Sequence, residues 1–313
     1  MPLKIPLIVV AGPTASGKTK LGVALAKHFD GEVVSADSMQ IYKTMDVATA
    51  KPMPDEMEGI PHHLIDFLSP EEPFSLAQYV TLAEKTIEDI RSRGKVPVIV
   101  GGTGLYINTL IDHISLSESG EDPALRAELT ALAAEKGNGY LLEMLRELDP
   151  VTAENLHENN LPRVIRAIEV TKSTGVPFSE HIAESRSEES PYAPCIIGLS
   201  CQDRQKLYDR IDLRVDLMLE NGLLKEAEEA FRTEQKTAAQ AIGCKELFPY
   251  FRGEKTLEEC VEHLKRSTRR YAKRQLTWFR RDERICWIYS DEEKDFSEIL
   301  KKSVIAVEKS GIL

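Results

Sequence analysis

Residues Gly12, Pro13, Thr14, Ala15, Ser16, Gly17, Lys18 and Thr19 spell a complete G-x-x-x-x-G-K-[ST] loop. Its glycines let the backbone curl until several N–H groups converge on phosphate oxygens, and the helix that follows adds partial positive charge. Lys18 would reach the terminal phosphate and Thr19 would ligate Mg²⁺. Such a loop, of the nucleotide- and ATP-binding kind, announces a polyphosphate but no reaction: hydrolysis, small-molecule phosphorylation and displacement of a diphosphate leaving group all stay open. Two other segments carry candidates. Asp37, followed by Ser38, Met39 and Gln40, could ligate magnesium, bind substrate or act as a general base, or cap a helix. Thr103 lies among Gly101, Gly102 and Gly104, where many NTPases carry an acidic residue and this chain has none. That points away from hydrolysis, and the glycines predict close backbone approach by a bulky second substrate.

These loops need a scaffold. Residues 5–11 form a short, continuously apolar run, the pattern of a strand buried on both faces, and similar runs follow at 32–36, 96–100, 195–199 and 284–289. Helical spacing falls between them at 18–29, 76–91 and 205–232. The alternation predicts an α/β fold: a P-loop NTPase-like parallel sheet flanked by helices. The rhythm breaks between about 115 and 194, where the apolar spacing is helical throughout. Asp149-Pro150 and Asn160-Leu161-Pro162 there read as helix starts with a capping side chain. The expected domains are a core made of 1–114 and 195–313, and an all-helical inserted domain at 115–194.

The 313 residues carry a net charge of −11, which taken whole disfavours a nucleic-acid partner. The sum conceals asymmetry. Residues 116–194 hold seven Lys/Arg against fifteen Asp/Glu, whereas 265–284 hold nine against two. The stretch 257–279 is amphipathic, with Leu257, Cys260, Val261, Leu264, Tyr271 and Phe279 on its apolar side. Arg266, Arg269, Arg270, Lys273, Arg274 and Arg280 lie largely away from that side, a candidate surface for phosphate backbone. No run is long enough for a membrane span, and the five cysteines lack a C-x-x-C pair, which suggests a reducing cytoplasm and no structural zinc. Adjacent His62 and His63 point different ways on any element and are read as structural or substrate-shaping, not metal-binding.

Several segments in fixed order then resemble one family. They are Gly12–Thr19, Asp37–Tyr42, Thr49–Pro52, Pro61–Asp66, Gly101–Tyr106, Arg163–Glu169, Gln240–Gly243 and Thr268–Arg280. Together they are similar to the tRNA dimethylallyltransferases (tRNA isopentenyltransferases), over about residues 5–290. With no C-terminal zinc finger, the chain resembles the bacterial form. Glu158 and Asn160 stand where proline and aspartate are common, and Cys244 replaces a tyrosine.

The resemblance implies Mg²⁺-dependent transfer of a dimethylallyl group from its diphosphate to N6 of the adenosine immediately 3′ of the anticodon. Its implied partners are the tRNA anticodon stem-loop and dimethylallyl diphosphate, with no membrane, and a cytoplasmic monomer is expected. In the family, Thr14, Ala15 and Ser16 match positions that contact the prenyl diphosphate. Arginines on the helix matching Arg210 and Arg214 stabilise the leaving group, with Arg214 the first choice. Thr103 and the segment from Asp37 to Gln40 meet the target nucleotide. Arg126, Arg163 and Arg166 match positions on the tRNA side, and Arg269, Arg270, Lys273 and Arg274 extend that contact. For Arg163 and Arg166, ion pairing with Glu169 is an equal alternative. The residues suit this chemistry: the adenine amine is a poor nucleophile, and an acceptor such as Asp37 can orient it and take its proton. Ordinary aspartates are weak bases at neutral pH, so proton removal should accompany or follow bond formation. A small-metabolite kinase and a nucleotide-gated RNA-binding protein remain as alternatives.

Overall fold

The computed structural model describes residues 4–115, 122–185, 187–233 and 241–313; Gln240 of the motif series lies outside them. In chain order the strands are β1 (Ile5–Ala11), β2 (Gly31–Ser35), β3 (His62–His63), β4 (Val96–Gly101), β5 (Tyr192–Ser200) and β6 (Cys286–Tyr289). The helices are α1 (Lys18–His28), α2 (Pro54–Met57), α3 (Leu76–Ser92), α4 (Gly104–Ile111), α5 (Pro123–Lys136), α6 (Asn138–Leu148) and α7 (Pro150–Glu154). They continue with α8 (Leu161–Thr174), α9 (Phe178–Glu184), α10 (Arg204–Glu220), α11 (Leu223–Arg232), α12 (Phe248–Phe251), α13 (Leu257–Phe279) and α14 (Phe296–Ser310).

The six strands form one parallel sheet in the order β3-β2-β4-β1-β5-β6. Its central strands β1 and β4 are apolar throughout because helices cover both faces, and Leu7, Ile8, Val9 and Val10 of β1 are fully buried. The chain leaves β1 for β2, passing over the place that β4 later fills. That switch in direction opens a crevice at the carboxyl ends of β1, β4 and β2, where α/β sheets bind ligands. Gly12, Asp37 and Thr103 each follow one of those three strands.

The chain divides into two compact units, one of Met1–Ile111 with Pro191–Leu313, the other Asp112–Ser190. The second contains α5 to α9 and its own core, including Leu129, Leu141, Leu145, Val164 and Ile168. Within it Asp149 caps α7, its carboxylate accepting the Thr152 N–H at 3.0 Å. Asn160 begins α8 but its side chain makes no cap; its backbone carbonyl accepts from Arg163 instead.

One expected helix differs, and one short strand was not foreseen. The helix at 205–232 is two, because Gly222 takes φ +99° and the chain restarts as α11. His62 and His63 form β3, a two-residue edge strand too short to leave a periodic signal. His63 Nε2 pairs with Glu32 at 2.6 Å and His62 Nδ1 with the Ile60 carbonyl at 2.8 Å.

Candidate active site

The phosphate loop turns on Gly12, at φ +144°, where any Cβ would lie 2.2 Å from the Leu199 carbonyl oxygen of β5. Only glycine fits between the loop and the neighbouring strand. Gly17, at φ +93°, starts α1 without a side-chain cap and with no acidic residue in the first turn. The unpaired N–H groups of that turn therefore face the crevice as anion donors. Ser16 is 2% exposed and its Oγ has no hydrogen-bond partner, a buried polar atom that a bound anion would satisfy. Lys18 folds back on the loop, donating to the Pro13 carbonyl at 2.6 Å. Burial, aided by the Arg214 guanidinium and opposed by Asp37, pulls the Lys18 ammonium down to about 7. Lys18, Arg214 and Asp37 thus share one electrostatic neighbourhood, with Glu56 also acting on Arg214.

Asp37 follows β2. Its Oδ1 accepts the N–H groups of Met39 at 2.9 Å and Gln40 at 3.3 Å, which fixes the carboxylate and leaves Oδ2 for a ligand. It is therefore not a helix cap: this is a turn that uses one oxygen and leaves the other without a hydrogen bond. The Gln40 side chain closes the same turn by donating to the Thr49 and Ala50 carbonyls, each at 3.2 Å. Beyond it, buried Lys51 binds Asp46, Asp66 and the Tyr42 carbonyl, so the Thr49–Pro52 motif holds loops together.

Thr103 follows β4, and its Oγ1 accepts the Ser38 N–H at 3.0 Å, tying the acceptor loop to the Asp37 turn. By sequence the glycines around it predict close approach by a ligand; in the structure the protein itself takes the room left by each missing Cβ. A Cβ on Gly101 would strike the Ala36 carbonyl oxygen at 2.1 Å, on Gly102 the Gln275 Nε2 at 2.3 Å, and on Gly104 the Trp278 ring at 2.2 Å. They let the protein pack against itself.

The inner side of α13 supplies what sequence reasoning missed. Tyr271 lies beside the Thr103 side chain, and burial together with Asp37 pushes its hydroxyl well above the ordinary range, so it stays protonated. Gln275 Oε1 accepts the Thr14 N–H at 2.9 Å and its Nε2 donates to the Gly102 carbonyl at 3.0 Å. The Thr14 amide is thereby withdrawn from the set available to phosphate. The Trp278 indole donates to Asn108 at 3.1 Å. The signal for Gln275 was a polar residue within the apolar stripe of an amphipathic helix, between Tyr271 and Phe279.

The outer side of α13 exposes Arg266, Arg270, Lys273, Arg274 and Arg280. Arg270, Lys273, Arg274, Thr277, Trp278 and Arg281 line a shallow depression of about 510 Å³. Arg269 does not belong to this surface: it pairs with Asp212 of α10 at 2.5 and 2.6 Å, and Lys265 pairs with Asp216 at 2.7 Å. On α10, Arg214 shares the electrostatic neighbourhood of Lys18 and Asp37, whereas Arg210 donates to Ser290 at 2.7 Å. In the inserted unit Arg126 and Arg166 both bind the fully buried Glu169, at 3.0 and 2.9 Å, so the ion-pair alternative describes Arg166. Arg163 is exposed. Among the described residues no group of three or more His, Cys, Asp or Glu could hold a metal ion.

Fold and site define a P-loop α/β protein whose phosphate cradle faces an oriented carboxylate beneath a basic helix. The model of the IPP transferase family matches residues 40–282, a span that begins after the phosphate loop. The tRNA dimethylallyltransferase of Acetivibrio thermocellus is 52% identical over 94% of this chain and 95% of its own. The crystal structure of the full-length tRNA isopentenylpyrophosphate transferase from Bacillus halodurans superposes with a TM-score of 0.73, at 43% identity and 98% coverage of both chains. A eukaryotic dimethylallyltransferase acting on tRNA superposes with a TM-score of 0.76 at 34% identity, covering 88% of this chain and 70% of that one. The chain belongs to the tRNA dimethylallyltransferase family. Among the described residues no helix is long and apolar enough to cross a membrane.

Proposed function

We propose that this protein transfers the dimethylallyl group from dimethylallyl diphosphate to N6 of the adenosine immediately 3′ of the anticodon, releasing diphosphate. The observation that carries the reading is that Lys18, Arg214 and the carboxylate of Asp37 share one electrostatic neighbourhood at the carboxyl edge of one sheet, against the inner side of the helix whose outer side is basic. N6 attacks the first carbon of the dimethylallyl group while the carbon–oxygen bond breaks and its electron pair leaves with diphosphate. Lys18, Arg214 and the N–H groups at the start of α1 stabilise the charge that develops there. Asp37 Oδ2 orients the amine and takes its proton as the carbon–nitrogen bond forms. Thr103, tied to Ser38, meets the nucleotide. The target base must leave its stack to reach them, at a cost of a few kcal/mol that is least for an unpaired loop base.

The loop suits a Mg²⁺–diphosphate pair: the Ser16 hydroxyl is orphaned and Thr19 opens α1 beside it. Thr19 would hold the ion, whose remaining ligands would be diphosphate oxygens and water. Bound there, Mg²⁺ would neutralise charge on the leaving group. On the tRNA side we assign backbone contact to Arg270, Lys273 and Arg274 of α13, and to Arg163 of the inserted unit. The test incubates the protein with labelled dimethylallyl diphosphate, Mg²⁺ and unmodified tRNA. Label in adenosine at the anticodon-adjacent position is expected, and is lost on chelation. No label, together with γ-phosphate transfer from ATP to a small metabolite, would overturn the reading.

A further inference from the structure

We propose that Gln275 is a positioning residue that holds the phosphate loop in register with the acceptor loop. The proposal rests on the dimethylallyl-transfer reading and deepens it. Gln275 is 6% exposed, and its single planar amide joins the loop after β1, through the Thr14 N–H, to the loop after β4, through the Gly102 carbonyl. The donor site and the acceptor site are built on those two loops. The β1–β4 ladder pairs them as far as Ala11 and Gly101, and beyond it one side chain from a third element, α13, joins the loops themselves.

The chemistry of the contact restricts what can make it. The side chain must accept at one end and donate at the other, over the length of a glutamine. Ionised glutamate accepts from Thr14 but cannot donate to Gly102, and it sets a negative oxygen against a carbonyl and beside the phosphate cradle. Methionine fills the space and does neither. Glycine at 102 follows from the same contact, since a Cβ there would lie 2.3 Å from Gln275 Nε2. A buried amide with both ends bonded to backbone fixes its own rotamer and both loops with it. One turn earlier, Tyr271 lies beside Thr103, so the inner side of the helix meets both halves of the site. Exposed Lys273 and Arg274 flank these residues on the outer side, where RNA phosphate would dock.

The test uses the full chain with Gln275→Met and Gln275→Glu, assayed by steady-state transfer to unmodified tRNA, with circular dichroism as a folding check. Gln275→Met should lower kcat about tenfold or more and leave the KM for tRNA within about twofold. Gln275→Glu should be slower still near pH 8, but its rate relative to wild type should climb several-fold towards pH 6. There the protonated carboxyl again offers one acceptor and one donor, a response that mere packing would not produce. A ratio that is flat with pH overturns the proposal, and so does a methionine variant with wild-type kcat. If the methionine variant does not fold, the glutamate ratio decides. A further measurement needs no variant: the Thr14 amide of the ligand-free wild type should be protected from hydrogen exchange, and fast exchange would count against the contact. Absence of prenyl transfer by the wild type would instead sink the functional reading, so the two failures are distinguishable.

Discussion

Asp37 has one oxygen spent on its own turn and one without a hydrogen bond, and that division sets its expected phenotype. Asp37→Asn keeps the turn, because an amide oxygen still accepts from Met39 and Gln40, but loses the proton acceptor. Turnover should drop by about 10²–10⁴-fold with the affinity for dimethylallyl diphosphate retained; a Mg²⁺-dependent loss of diphosphate binding would mark Asp37 as a metal ligand instead. Lys18 gives a pH signature. Burial and Arg214 bring it to about 7, so above that pH the free site begins to lose its ammonium. Donor affinity, measured by titration calorimetry, should weaken from pH 7.5 to 9 in the wild type and stay level in Lys18→Arg, which cannot deprotonate there. Equal slopes would show that another group titrates. The sequence disclosed both residues because the phosphate-loop motif and the strand-end position are local features.

At the scale of the element, α13 has two faces with different work. Its capping box joins Thr256 and Glu259, and an amphipathic stripe buries Cys260, Leu264, Ala272, Gln275 and Phe279. Removing charge at Arg270, Lys273 and Arg274 should weaken tRNA binding and flatten its dependence on salt, since each lost phosphate contact removes about one released counterion. An unchanged salt slope would refute the assignment. Arg269→Gln should behave differently: it breaks the clasp to Asp212, which is part-exposed and worth about 1 kcal/mol or less, so it lowers the melting temperature slightly and leaves the salt slope alone. Composition could not separate Arg269 from Arg270, because adjacent helix positions differ only in the direction they face. That direction matters only once α10 lies against one side.

At the scale of the whole molecule, a net charge of −11 coexists with a basic helix because acidic residues are concentrated elsewhere, many in the inserted unit. That unit is pinned by Glu169. Although burial opposes its ionisation, Arg166, Arg126 and the Asp122 N–H hold its carboxyl below the ordinary glutamate range. A depressed carboxylate contributes stability that is present above that range and lost as pH falls through it. Glu169→Gln should therefore destabilise this unit by roughly 1–3 kcal/mol at neutral pH, with the deficit shrinking in acid. With a separate core in each unit, calorimetry should show one transition shifted and diphosphate binding unaffected; a uniform shift of all unfolding would show that the units melt together. By itself the sequence determined the phosphate loop, the five longer strands of the parallel sheet, the helical run of the insertion and the family resemblance, because these rest on short-range spacing and periodicity. Only the tertiary structure decided which arginines are spent on Asp212 and Glu169, why glycines surround Thr103, and that Gln275 bridges two loops. Those facts depend on contacts between residues far apart in the chain, and side-chain direction across such contacts exists only after the elements have packed.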